Sequence, residues 1–136
     1  MGKAIELANT NLEEKNEKIK NLRDYFIMQI EEKIPNVQLN GHRTKRLPGN
    51  INISFKDIDG EALLLNLDMK GICISTGSAC ASGDINPSHV LLAIGLESSL
   101  AMGALRVTLG DENTKEDVDF LIKELVEIVE RLRNKK

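Results

Sequence analysis

Apolar residues in the first third of the chain recur every three or four positions, or every seven across Lys15. They are Ile5, Ala8, Leu12, Ile19, Leu22, Phe26, Ile30 and Ile34. This spacing predicts one amphipathic helix of about thirty residues, stopped by Pro35. That is more than twice the usual helix length, so the helix either protrudes or packs on something outside this stretch. Its middle, Asn9 to Asn21, is polar on most sides and predicts a solvated surface.

Beyond Pro35 the period shortens to two. Val37-Gln38-Leu39 predicts a short strand, and 40–46 a loop punctuated by Gly41. Asn50 to Phe55 alternates cleanly, with Ile51, Ile53 and Phe55 facing inward. Asp59 is placed to cap a helix over Glu61 to Leu67, which Gly71 closes. Ile72-Cys73-Ile74 reads as a short buried strand with Cys73 in the core. Asn86-Pro87 marks another helix start, with Asn86 as N-cap and a run through Ala93. A short helix is expected from Ser98 to Met102, then a strand with Leu105, Val107 and Leu109 on one face. Thr114, with Asp117 three residues on, caps a last helix. The apolar stripe of that helix is Val118, Leu121, Ile122, Leu125, Ile128, Val129 and Leu132. The order of elements predicts an α+β fold: a two-layer small domain with a short, mostly antiparallel sheet packed on helices.

The 136 residues suffice for one domain and a sizeable core. Tyr25, Phe26, Phe55 and Phe120 are the only aromatic residues, so the core is aliphatic. A net charge of −3 without a basic stripe argues against nucleic acid as partner. No apolar run is long enough to span a membrane, and the start does not read as a secretory signal. Two cysteines seven positions apart form neither a disulfide framework nor a zinc spacing, so no metal site is expected. A reducing, cytoplasmic setting follows.

Cys80 is the most suggestive residue. Ser75 to Gly83 contains no large side chain, which predicts an exposed, mobile loop around a thiol. The alternative is a free cysteine acting as a small hydrophobe. Asp84 is the only charge between Gly71 and Ser88, and it would raise a thiol pKa, not lower it. Arg106 points from its strand away from the apolar face, toward a carboxylate ligand or a neighbouring acid. His89 reads as a surface or packing histidine. His42 lies in the loop with Arg43, Lys45 and Arg46, which is either solvated or faces a small anion or an acidic partner surface. No phosphate loop or paired-carboxylate constellation is visible.

Several motifs together resemble the NifS/IscS-type cysteine desulfurases, class V aminotransferase relatives of fold type I. They are Leu47-Pro48-Gly49-Asn50-Ile51-Asn52-Ile53-Ser54-Phe55, Asp59-Gly60-Glu61-Ala62-Leu63-Leu64, the Ser75–Gly83 loop, Pro87-Ser88-His89-Val90-Leu91 with Gly95, and Leu105-Arg106-Val107-Thr108-Leu109-Gly110. The likeness runs over essentially the whole chain. It implies pyridoxal phosphate chemistry that takes sulfur from L-cysteine, leaves L-alanine and holds the sulfur as a persulfide. Cys80 would be the nucleophile, and Arg106 would bind the substrate carboxylate. An iron–sulfur scaffold or another sulfur-acceptor protein would receive the sulfur, and the full-length family enzyme is a homodimer. No lysine here lies in the context of the family's cofactor lysine. The resemblance therefore places the chain as the C-terminal small domain alone: residues 1–34 as interdomain helix, 35–136 as core, and the cofactor-binding large domain absent. No cofactor-binding residue is expected within it, and it would be inactive as an enzyme alone. The alternative is a stand-alone persulfide carrier or scaffold-docking module.

Overall fold

In the computed structural model, residues 1–77 and 86–134 are described. The expected long N-terminal helix is two helices, α1 (Gly2–Asn9) and α2 (Leu12–Lys33). The break falls within Asn9-Thr10-Asn11, whose short polar side chains compete for backbone hydrogen bonds. Thr10 donates its hydroxyl back to the Glu6 carbonyl at 3.0 Å. Asn11 takes the left-handed conformation at φ 55°, which asparagine tolerates better than most residues. α1 buries no residue. The apolar positions of the second half of α2 do go inward: Phe26, Ile27 and Ile30 are buried, as is Ile34 just past its end.

The sheet has three antiparallel strands in the order β1 (Val37–Leu39), β2 (Asn50–Phe55) and β3 (Ala104–Thr108). Val37 faces Phe55, Ile51 faces Val107, and Ile53 faces Leu105. These residues share one face, and with them α2, α3 (Gly60–Asp68) and α6 (Lys115–Asn134) build a single core. Phe26, Ile30, Ile51, Ile53, Leu63, Leu67, Leu105 and Leu125 are all at most 2% exposed. Each such side chain contributes about 1.5–3 kcal/mol by leaving water. The result is the expected small α+β domain of two layers.

Helix ends follow local chemistry. Asp59 accepts from the Glu61 amide at 2.9 Å and opens α3. Thr114 and Asp117 cap α6 reciprocally: each accepts the other's backbone N–H, at 3.2 and 2.9 Å. α4 (His89–Ala93) begins later than expected. Ser88, at ψ 119°, is the residue before the first turn, and the first helical bond runs from Leu92 N to Ser88 O. Asn86 is therefore not the cap. α5 (Ser98–Met102) lies where the pattern placed it.

The segment at 72–74 differs in kind. It is not a strand; only Ser75 bridges to the sheet, at Arg106. Ile72 and Ile74 lean on the core, and the residue between them turns outward, so Cys73 is an exposed free thiol and not a core residue. The segment joins the sheet only through the Ser75 bridge to β3, which leaves Cys73 in solvent among the described residues. No helix among the described residues is long and apolar enough to cross a membrane.

Candidate functional site

The face of the sheet away from the core helices carries the polar residues of each strand. Alternation puts Asn50, Asn52 and Ser54 of β2 there, with Ala104, Arg106 and Thr108 of β3. The register sets Asn52 opposite Arg106 and Ser54 opposite Ala104. α4 and α5 cover one end of this face: Leu91, Ala101 and Ala104 form a second small cluster. The 41–46 loop meets the other end, where Arg46 Nη1 donates to the Asn50 carbonyl at 3.3 Å. Between them Asn52 and Arg106 remain half-buried.

Arg106 holds the root of the cysteine loop. Its backbone exchanges two hydrogen bonds with Ser75, at 2.7 and 3.2 Å. Its Nη1 donates to the Gly77 carbonyl at 2.9 Å. Gly77 is at φ +54° in open space, a left-handed turn that suits glycine. One residue earlier, Thr76 lies against Gly60, where an added Cβ would meet Met102 O at 2.8 Å and Thr76 Cγ2 at 3.3 Å. Only a glycine lets the start of α3 approach both the α5–β3 turn and the loop root. Cys80 follows Gly77 by three positions; with the rest of 78–85 it lies outside the described residues. Arg106 has no ion pair among the described residues. Its Nε–Nη2 edge has no partner among the described residues.

A buried amide cluster backs Asn52. Asn40 is 5% exposed, and its Nδ2 donates to Asn52 Oδ1 at 2.7 Å and to Ser54 Oγ at 2.8 Å. Its own Oδ1 is buried without a partner. Sequence reasoning did not single out Asn40 or Asn52. The signal was the alternation itself, since Asn52 sits between Ile51 and Ile53, but only the register showed what it faces.

The basic loop is largely spent on itself. Arg43 binds both carboxylate oxygens of Glu31, Oε2 at 2.7 Å, and this partner raises the Arg43 pKa. Arg46 donates to three carbonyls, of His42, Asn40 and Asn50. Burial, followed by the nearby Arg23 and Arg43 charges, lowers its pKa. His42 Nδ1 accepts from the amides of Thr44 and Lys45, at 3.1 and 3.0 Å, so it shapes its own loop. His89 is exposed at the start of α4.

Two buried charges also escaped the sequence pattern. Arg23 is 2% exposed and pairs with Asp24 at 2.7 Å. Glu124, inside the apolar stripe of α6, meets Lys70 at 3.0 Å, off the direction of a hydrogen bond. Both are structural. Among the described residues no group of His, Cys, Asp and Glu is arranged to hold a metal ion. Two open clefts among the described residues are lined mainly by charged side chains, including the pairs Lys15–Asp111 and Lys123–Glu127. No aromatic side chain lines either cleft to stack on a pyridine ring.

Residues 1–121 match the family described as aminotransferase class-V. A protein named cysteine desulfurase IscS from Clostridium botulinum is 54% identical over 135 residues. The match covers 98% of this chain and 34% of that protein. A protein of the same name from Methanosarcina thermophila is 50% identical, covering 98% of this chain and 33% of that one. The chain thus spans about a third of the length of the curated relatives it matches. Among solved structures, a NifS-like protein from Rickettsia africae superposes with a TM-score of 0.78 at 30% identity. That superposition covers 91% of this chain and 31% of the other.

Proposed function

Because the chain belongs to the class-V aminotransferase family, we propose that it is the sulfur-receiving, substrate-orienting part of a cysteine desulfurase. The observation that carries the reading is the bond from Arg106 to Gly77, which ties the guanidinium to the root of the segment bearing Cys80. In this reading Arg106 binds the carboxylate of L-cysteine through paired hydrogen bonds. Cys80 is the nucleophile. L-cysteine and the Cys80 thiol become L-alanine and a Cys80 persulfide: the substrate carbon–sulfur bond breaks, a sulfur–sulfur bond forms, and the carbon takes a proton. The persulfide then passes its terminal sulfur to an acceptor protein, an iron–sulfur scaffold or another, in the cytoplasm.

Pyridoxal phosphate is the cofactor of this chemistry in the family, and it supplies the electron sink when bound. What this chain supplies is the thiol, the carboxylate ligand and the loop root. The whole enzyme acts as a homodimer in this reading.

Mass spectrometry tests it. The 136-residue chain, given L-cysteine and pyridoxal phosphate, is expected to form no L-alanine. Given a persulfide donor, it is expected to gain one sulfur on Cys80, and Cys80→Ala to gain none. L-alanine formed by the chain itself would refute its incompleteness. Sulfur gained on the exposed Cys73 and not on Cys80 would refute the assignment of the nucleophile.

A further inference from the structure

We propose that Asn52 is a second carboxylate-binding residue, a neutral donor set beside Arg106 and held in place by Asn40. This rests on the carboxylate reading of Arg106 above. The β2–β3 register places Asn52 directly opposite Arg106 on the open face. Side chains paired in this way start about 4.5–5.5 Å apart at Cβ. Arg106 spends Nη1 on Gly77, and the two donors of its other edge have no partner among the described residues. A carboxylate accepts at about four positions, so one guanidinium edge leaves capacity for further donors.

Asn52 is oriented to supply them. Its Oδ1 accepts from Asn40 Nδ2 at 2.7 Å, so its Nδ2 is the end turned away from that bond. That nitrogen has no partner among the described residues. Asn40 is itself pinned: its amide donates to the Asn52 carbonyl at 2.9 Å, and its own carbonyl accepts from Arg46 at 2.8 Å. Its buried, unpartnered Oδ1 is a cost that calls for a compensating role. Fixing which end of Asn52 faces outward is such a role, because a site gains more from donors held ready than from donors that must be ordered. Asn40 is thus a positioning residue.

The pairing also selects its ligand. One cation and one neutral amide suit a group with a single negative charge. They suit a phosphate or a dicarboxylate less well, since either would leave charge unmatched.

The experiment is a titration of the 136-residue chain with L-cysteine, following the side-chain NMR signals of Asn52 Nδ2 and Arg106 Nε. Cysteamine, the same molecule without its carboxylate, is the control. Both signals are expected to shift along one saturation curve with L-cysteine and to stay still with cysteamine. Asn52→Asp keeps an oxygen for Asn40 but replaces the free donor with a negative charge. It is expected to weaken L-cysteine binding at Arg106 by about tenfold or more, the size expected for a hydrogen bond to a charged group. If the Arg106 signal shifts alone, or Asn52→Asp leaves its curve unchanged, the role of Asn52 is overturned and that of Arg106 stands. If neither signal responds to L-cysteine, the carboxylate reading of Arg106 falls and takes this inference with it. The wild-type Asn52 signal decides the matter even if the variant folds poorly.

Discussion

Gly103, at the turn between α5 and β3, is where one added carbon has the most to disturb. A Cβ there would lie 2.2 Å from the Phe55 carbonyl oxygen and 2.8 Å from that of Ile58. Ordinary contact begins near 3.5 Å, so the turn must back away by about 1 Å. Both obstacles are backbone, and neither can rotate aside. Retreat breaks the bond from Phe55 N to Gly103 O, now 3.0 Å. That costs about 1 kcal/mol. It also opens the packing around Phe55 and Ile58, and overpacking of this kind typically costs about 1–3 kcal/mol. Gly103→Ala should therefore lose about 2–4 kcal/mol in all. Gly71→Ala is the control. Gly71 sits at φ +76° with nothing within 4 Å of an added Cβ, so only the left-handed backbone penalty applies. That penalty is about 1–2 kcal/mol. Urea unfolding followed by circular dichroism measures both, with a common slope expected. If Gly103→Ala proves no more costly than Gly71→Ala, close approach is not what the turn requires, and the reasoning fails.

Other perturbations follow from the same contacts. The amide and hydroxyl of Thr114 hold the Asp117 carboxylate below its ordinary pKa, and Lys115, followed by Tyr25, does the same for Asp119. A depressed folded-state pKa gives stability that is present above the unfolded value, near 4, and is lost as pH falls through the folded one. Thermal melts from pH 7 downward should show this acid limb. Asp117→Asn should make it shallower while lowering stability at neutral pH; an unchanged limb would exclude Asp117 as a source. Arg46→Ala removes donors from three carbonyls around the 41–46 loop. Hydrogen exchange at Asn40 and through that loop should then speed up by about tenfold or more, the equivalent of one or two lost charged hydrogen bonds. Equal exchange in both proteins would mean that the loop closes without this clip.

Much of the fold was legible along the chain because one face of each element is apolar at the right period. The stripe of α6, the inward set Ile51, Ile53 and Phe55, and the caps at Asp59 and Thr114 needed only local chemistry. The family motifs were likewise legible, since they are ordered runs of residues, and they pointed to Cys80 and Arg106. Local reasoning failed where a residue's environment comes from elsewhere. Cys73 has apolar neighbours in sequence, yet it is exposed because the segment meets the sheet only at its edge. The long helix broke because three polar residues in a row outweigh periodicity where no core holds a helix straight. Asn40, Asn52 and Arg106 are 12 and 54 positions apart in turn. Composition and spacing say nothing of their meeting. Strand register alone brings them to one face, because a shift of a single residue would have sent each side chain to the opposite side of the sheet.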